Sequence, residues 1–359
     1  VKLDNFIFDL GPHRFHTFDK RVENFILEIL DAEKNIILRN SKVWLFNHYH
    51  NWPLDYKTVF KLPFSIMLKS FLDLFNRPNF DTETFECYVK SKYGNTLYKH
   101  FFEPYTKKFL NYLPDELHSD WGRIGIDRAV ITNEVKMNNL IDVIKTVLLP
   151  RAIETEFIYP TTNGIQRFCD ILVEKLKKLG VKIILNDQPL EIIIENDRVK
   201  KIITKTGSYQ TDKAIIWSAP ITDLQKLCNL PAVDLEFLSS IFYFITLKCP
   251  VKTEYQWCYY GTDDIFFNRI SQPFFFSKNN VIDKNKHSLC AEISTQTSSS
   301  IFKNPAALQS KIIDDLVAAK VINSAADISN INFLSIENTY PIYKKNYKEE
   351  LAKLLNDIN

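Results

Sequence analysis

FDLGPHRFHT, residues 8–17, runs from a short apolar stretch into a Gly-Pro step and then sets His13, Arg14 and His16 close behind it. Residues 5–10 read as a strand that Gly11-Pro12 ends. Glycine lets backbone turn sharply and approach a neighbour closely, and proline fixes the turn. His13 therefore stands just past the carboxyl end of a strand, where ligands of α/β sheets collect.

Working outward, residues 20–30 place Val22, Phe25, Ile26, Ile29 and Leu30 on one helical face. Residues 43–46 read as one side of a hairpin that returns near Trp52. An apolar helix is expected over 60–75. Leu97, Phe101, Tyr105 and Phe109 recur every fourth residue in a long helix that Pro104 should kink or divide. A helix-rich segment continues to Pro150. From Phe157 the pattern changes: FIYPTTNGIQRFCDILVEKLKKLG is a strand end, a turn and an amphipathic helix stopped by Gly180. VKIIL then reads as a strand, PLEIII-END-RVKKIITKTG as an antiparallel meander, and DKAIIWSAP as a buried strand. Residues 241–292 are strand-like and aromatic. Residues 311–319 form a helix, INFLSIENTYPIY a strand, and 349–358 a last helix.

This order predicts an α/β fold. One domain, from 1–38, 151–233 and 297–359, is interleaved with a helical and β-rich substrate domain from 39–150 and 234–296. The strands at 8–11, 182–185 and 214–217 should belong to the first.

The totals exclude several classes. With 45% hydrophobic and 25% charged residues among 359, the chain has an ordinary globular balance. A net charge of +2 gives no nucleic-acid footprint. No apolar run is long enough to span a bilayer; peripheral membrane contact and the oligomeric state stay open. The six cysteines show no C-x-x-C, which predicts reduced thiols in the cytoplasm. Eight glycines in 359 residues are about 2%, against a usual ~7%, and none forms G-x-G. A dinucleotide fingerprint and a phosphate-cradling loop are therefore missing from these residues.

His13 with His16, and His48 with His50, lack the carboxylate or thiolate company of a zinc site, so no metal is expected. Arg123 and Arg128 in DWGRIGIDRA suit a bidentate clamp on an anionic substrate, or equally surface pairing with Asp120 and Asp127. Tyr340 and Tyr343 flank Pro341 and suit either a site or core packing. No nucleophile–base arrangement stands out, so a bound cofactor should carry the reactive centre.

FDLGPHRFHT resembles the second flavin-contacting segment of the FAD-dependent amine-oxidase-like superfamily. The resemblance is nearest to the branch of UDP-galactopyranose mutases and protoporphyrinogen-oxidase-like proteins, whose mutases carry G-P-H-x-F-H-T. Further likenesses follow in order: WPLDY; TFECYVKSKYGNTLYKHFFEPYTKKFL; ELHSDWGRIGIDRA; FIYPTTNGIQRFCDIL; FNRISQP; NTYPIY. Each is weak alone, but seven in order are specific.

The resemblance implies FAD as cofactor and a flavin-dependent oxidoreductase. Gly11, Pro12 and His13 would lie against the isoalloxazine ring, and Arg14 would neutralise charge on the flavin. Pro189 and Pro220 would fall on the cofactor side, although Pro189 replaces a Val whose backbone meets adenine. Arg123, Arg128, Arg269, Tyr340 and Tyr343 would face a small substrate, anionic or a nucleotide sugar. His13, Arg128 and Tyr340 would be catalytic. One alternative is a mutase-like isomerase in which Arg128, Arg269 and Tyr340 grip a nucleotide diphosphate. Phe109, Leu110 and Asn111 stand where mutases carry Gln-Trp-Gly, which counts against it. A further alternative is a non-catalytic fragment: relatives carry G-x-G-x-x-G before this stretch and a Gly-Arg segment after it, so the chain resembles one cut at both ends. On that reading it should bind FAD poorly.

Overall fold

The computed structural model describes residues 1–52, 62–73, 75–76, 83–129, 155–196, 198–211 and 213–358, the side chains of 125–129 excepted. Its centre is a seven-stranded sheet in the order β14-β10-β13-β12-β11-β4-β5. These strands are β4 (Ser41–Leu45), β5 (His48–Asn51), β10 (Glu236–Leu247), β11 (Trp257–Tyr260), β12 (Arg269–Ser271), β13 (Ser288–Thr295) and β14 (Ile328–Ile342). All neighbours are antiparallel except β11 and β4. Around the sheet lie a short hairpin, β1 (Lys2–Leu3) and β2 (Phe6–Ile7), and a pair, β3 (Lys34–Leu38) with β6 (Glu156–Pro160). A meander of β7 (Pro189–Glu195), β8 (Arg198–Thr204) and β9 (Ser208–Gln210) stands apart from them.

Side chains alternate across a strand, and that alternation creates the site. One face of the sheet carries Trp44, Tyr243, Tyr260, Ile270, Ala291 and Ile293 into the largest apolar core. That core is closed by Ile312 and Leu316 of the helix Gln309–Ala318. The opposite face carries Val43, Trp257, Tyr259, Arg269, Glu292 and Phe242. Register Tyr259↔Arg269↔Glu292↔Phe242 places four of them in one row across β11, β12, β13 and β10.

The helices follow their apolar stripes. α1 (Lys20–Leu30) is capped by Asp19, whose carboxylate accepts from Arg21 N, and buries Ile26, Ile29 and Leu30. α2 (Phe64–Asp73) lies within the apolar stretch expected there. The long helix divides as Pro104 requires: α3 (Phe85–Leu97) gives way to a π turn, Tyr98–Phe102, and α4 (Glu103–Leu110) restarts with proline in its first turn. α5 (Asp120–Ala129) follows, then α6 (Gln166–Lys178), α7 (Ile221–Leu227), α8 (Gln309–Ala318) and α9 (Tyr347–Ile358). The helix expected before Pro150 lies outside the described residues.

Three expected strands differ. The strand expected over residues 5–10 and at 8–11 is confined to Phe6–Ile7, paired in a ladder only with Lys2–Leu3, and residues 8–11 carry no strand. Residues 182–185 and 214–217 enter no ladder. Leu185 is 76% and Ile216 93% exposed. A run of consecutive apolar residues is buried as a strand only when other strands flank it, and no described residue pairs with either segment.

Candidate active site

The strand-to-turn segment is fixed first. Asp9 accepts from the Tyr159 hydroxyl at 2.6 Å and from the Ile165 amide, just ahead of α6, at 2.9 Å. Burial raises the Asp9 pKa, and these hydrogen bonds oppose the rise. A Cβ on Gly164 would come 2.4 Å from Asp9 Oδ1, so glycine is what lets the turn close on the carboxylate. Beyond the turn Phe15 bridges back to Ile158, with both backbone bonds at 3.0 Å.

Between these anchors Gly11 turns with φ 91°. Its hypothetical Cβ would lie 3.1 Å from Arg269 Nη2 and 3.1 Å from Glu292 Oε2. The Gly-Pro step therefore seats the chain directly on a buried ion pair. Arg269 Nε donates to Glu292 Oε2 at 2.9 Å, and Nη2 donates to the same oxygen. Nη2 also donates to the Tyr340 hydroxyl at 3.0 Å, which in turn donates to Glu292 Oε1 at 2.9 Å. Burial opposes the Arg269 charge, but Glu292, aided by Tyr340, Tyr259 and Tyr105, holds its pKa well above the usual value. Burial pushes the Tyr340 phenol up as well, so Tyr340 stays a neutral donor rather than a base.

Aromatic side chains wall this triad. Phe101, Tyr105, Phe109 and Trp121 form a stacked column with ring separations of 6.4, 5.7 and 6.0 Å. This is the four-residue spacing of the sequence carried across the π turn. Tyr340 meets Phe109 edge-on at 5.1 Å, and Tyr259 meets Tyr105 edge-on at 5.9 Å. The hydroxyls of Tyr105 and Tyr259 have no hydrogen-bond partner among the described residues.

The expected residues divide. Gly11, Pro12, His13, Arg14, Arg269 and Tyr340 come together. His13 keeps a solvent-open edge, yet the protein around it, and then Arg269, lower its pKa. Arg14 Nη1 donates to the Pro12 carbonyl at 2.7 Å, and its guanidinium lies 4.1 Å from the Trp257 ring centre. Arg123 and Tyr343 join an adjoining cluster: Arg123 pairs with Asp120 at 3.4 Å, and Tyr343 meets Trp121 and Tyr347. Arg128 is on α5, with its side chain outside the described residues. Pro189 opens β7, and Pro220 caps α7 while accepting from Trp217 Nε1 at 3.1 Å. No group of three metal-ligating side chains occurs among the described residues, and no described helix is long and apolar enough to cross a membrane.

Sequence reasoning missed Glu292, Trp257, Tyr259 and Tyr105 as site residues. A single carboxylate in the apolar strand LCAEIST, and two large aromatics two apart in WCYY, were the available signals.

No family model matches the sequence, and no curated protein matches it. Solved structures do match its fold. A reduced UDP-galactopyranose mutase superposes with TM-score 0.83 over 99% of this chain and 77% of its own, at 18% identity. A "putative protoporphyrinogen oxidase" from Exiguobacterium sp. 255-15 gives 0.73 over 99% and 81%, at 14% identity. A putrescine oxidase redesigned in its cofactor binding gives 0.55 over 93% and 75%, at 10% identity. The chain shares the fold of these proteins. The resemblance read from FDLGPHRFHT named that fold.

The ring end of a flavin can be tested against these residues. A glycine turn, the aromatic side chains of Trp257, Tyr259 and Tyr105 around it, and a buried Trp257 Nε1–H without an acceptor among the described residues suit an aromatic ligand rich in acceptors. They fit the group.

Proposed function

We propose that this chain builds the flavin-facing and substrate-facing surfaces of an FAD-dependent oxidoreductase of the amine-oxidase and protoporphyrinogen-oxidase-like kind. The observation that carries this reading is the Gly11 turn seated on the Arg269–Glu292–Tyr340 triad. Residues 1–38, 151–233 and 297–359 form the cofactor side, and 39–150 with 234–296 the substrate side. Gly11, Pro12 and His13 hold the ring end of FAD. Bound there, FAD would supply the hydride-accepting chemistry, and these residues would position its ring and the substrate. His13, neutral near pH 7 because its pKa is lowered, orients substrate or tunes the ring. Arg269 is kept charged and immobile by Glu292, so it presents a fixed cation rather than a proton donor. Tyr340, Tyr105 and Tyr259 add hydroxyls and apolar faces that exclude water. Arg128 completes the substrate side.

The Arg269–Tyr340 contact also favours a second reading, a mutase-like isomerase that grips a nucleotide-sugar diphosphate. Phe109 stacks between Tyr105 and Trp121, so this part of the column presents Phe109, Leu110 and Asn111 in place of Gln-Trp-Gly.

The test uses the protein that carries this chain in its native reading frame. It should purify with a flavin spectrum. Candidate amines and tetrapyrrole precursors should bleach that spectrum anaerobically if it is an oxidoreductase. Conversion of UDP-galactopyranose only after prior reduction would select the isomerase. A colourless protein that takes up no FAD would overturn both.

A further inference from the structure

β14 lies at one end of the seven-stranded sheet and pairs there with β10 alone. Its ladder with β10 keeps one register from Asn330 to Ile336. A bulge with Asn338 at φ 56° ends that stretch. Along the outer side of residues 328–336, no hydrogen bond from another described residue meets the backbone amides and carbonyls. Such an edge is a template for a further strand, and soluble proteins blunt it with lysine, proline or a very short strand. The strand at the other end of the sheet, β5, has four residues. β14 has fifteen, and its stretch ISNINFLSI, residues 328–336, holds no charge and no proline. Phe333 is 40% and Leu334 39% exposed, on opposite faces of the strand.

The same stretch reads nearly alike in both directions. An antiparallel second copy, centred on Asn332, sets Ile328 opposite Ile336, Ser329 opposite Ser335, Asn330 opposite Leu334, Ile331 opposite Phe333, and Asn332 opposite itself. Directly opposed residues share a face of the sheet, and the register with β10 shows which face. Ile331 and Phe333 pair with Ile245 and Tyr243, on the side of the largest core. Asn332 and Leu334 pair with Phe244 and Phe242, on the other side. The nearest charges fall outside the stretch. Asp327 is occupied in accepting the amides of Asn323 and Ser324, and Glu337 enters the bulge.

We propose that the outer edge of β14 is a self-association surface, on which two copies of this chain pair antiparallel about Asn332 and join their sheets across a two-fold axis. The backbone groups supply the hydrogen bonds, and the side-chain register supplies the specificity. Ile331 of each copy covers Phe333 of the other, whose ring already lies 6.2 Å from that of Tyr243. Aromatic and β-branched pairs of this kind stabilise sheets. The two Asn332 amides, each donor and acceptor, meet at the axis. A charged strand from another protein finds no answering charge in this stretch, whereas a second copy meets its own sequence in reverse. Pairing about a two-fold consumes one edge from each chain and closes at the dimer, so an uncharged edge of this length is covered without open-ended aggregation. The surface is separate from the flavin reading and does not depend on it.

The test uses the protein that carries this chain in its native reading frame. Sedimentation over a range of concentrations should show a reversible monomer–dimer equilibrium. Leu334→Lys sets a charge opposite Asn330 of the second copy and should weaken the dimer about tenfold or more. Adding Asn330→Asp should restore most of the lost affinity. Within one copy the two positions lie about 13 Å apart along the strand, so only a facing copy brings the two charges together. Asn332→Cys should cross-link the dimer under mild oxidation, because directly opposed residues hold their Cα atoms about 4.5–5.5 Å apart, within the range of a disulfide. Leu334→Cys, which faces Asn330 and not itself, should cross-link far less. Circular dichroism and melting of each variant separate lost association from lost folding. Should Leu334→Lys not fold, Asn330→Lys, at an exposed polar position, takes its place. A protein that stays monomeric at every concentration, as it would were another segment to cover this edge, overturns the proposal. So does a dimer indifferent to the folded charge variant, or one that Leu334→Cys cross-links better than Asn332→Cys.

Discussion

Glu292→Ala removes the carboxylate on which the site is built. Glu292 is 1% exposed and answers both Arg269 and Tyr340. Without it the Arg269 guanidinium stays buried with no carboxylate partner among the described residues, and the Tyr340 hydroxyl loses its acceptor. Breaking one side of a buried pair costs about 3–5 kcal/mol. Unfolding entropy near 60 °C is about 2.1 cal/mol/K per residue, so 359 residues unfolding as one unit carry about 0.75 kcal/mol/K. The expected fall in Tm is therefore about 4–7 °C. Glu292→Gln, which keeps an acceptor for Tyr340 and loses only the charge, should fall between Glu292→Ala and wild type. The cycle through Arg269→Ala is the sharper measurement. Removing both partners leaves no stranded charge, so the double variant should be less damaged than the two single losses added together, by about 0.5–3 kcal/mol. Urea unfolding followed by circular dichroism reads both quantities. A Glu292→Ala loss below about 1 kcal/mol, or a cycle additive within about 0.5 kcal/mol, would refute the argument that Glu292 is what tolerates Arg269 in the interior.

Gly11→Ala combines a left-handed φ of 91° with a Cβ pressed 3.1 Å from the ion pair. Gly180→Ala has a φ of 79° and open space around it. Both should lose about 1–2 kcal/mol of stability to the backbone strain introduced, and only Gly11→Ala should lose more in urea unfolding. Lys108 Nζ donates to the carbonyls of Tyr260 at 2.8 Å, Thr262 at 2.9 Å and Ile265. Lys108→Met should cost about 1–3 kcal/mol and accelerate amide exchange in residues 261–266; unchanged exchange there would show the loop is held otherwise. His13 has its pKa held below the usual ~6.5. Below that pH the unfolded chain takes up a proton that folded His13 resists, so its contribution falls as pH drops from ~6.5 through the folded value. The stability of wild type relative to His13→Asn should therefore decrease from about pH 8 to about pH 5, and an increase would contradict the assigned direction.

What the sequence made legible was local. The helix Lys20–Leu30, the hairpin before Trp52, the break at Pro104 and the meander after Pro189 all follow from short-range periodicity and turn chemistry. Residues 182–185 and 214–217 carry the same apolar signal but no ladder, because strand pairing is decided by neighbours and not by the strand itself. The site divides along the same line. Gly11 and His13 stand in one motif, Tyr340 stands out beside Pro341, and Arg269 enters through the resemblance. Glu292 was missed because its partnership is a matter of register: Arg269↔Glu292 joins β12 to β13, and Tyr340 arrives from β14, two strands further along the sheet. Physical reasoning could still have reached it. In LCAEIST the neighbours on the face of Glu292 are Cys290 and Ser294, neither of which can answer a carboxylate's charge, so where that face is covered Glu292 needs a partner from an adjacent strand. A buried carboxylate requires a cation or several donors within reach. FNRIS is another short apolar strand with one charged residue, of the opposite sign. Matching those two unanswered charges places β12 beside β13 before any coordinates are known, and the close approach they demand explains why the chain needs a glycine at position 11.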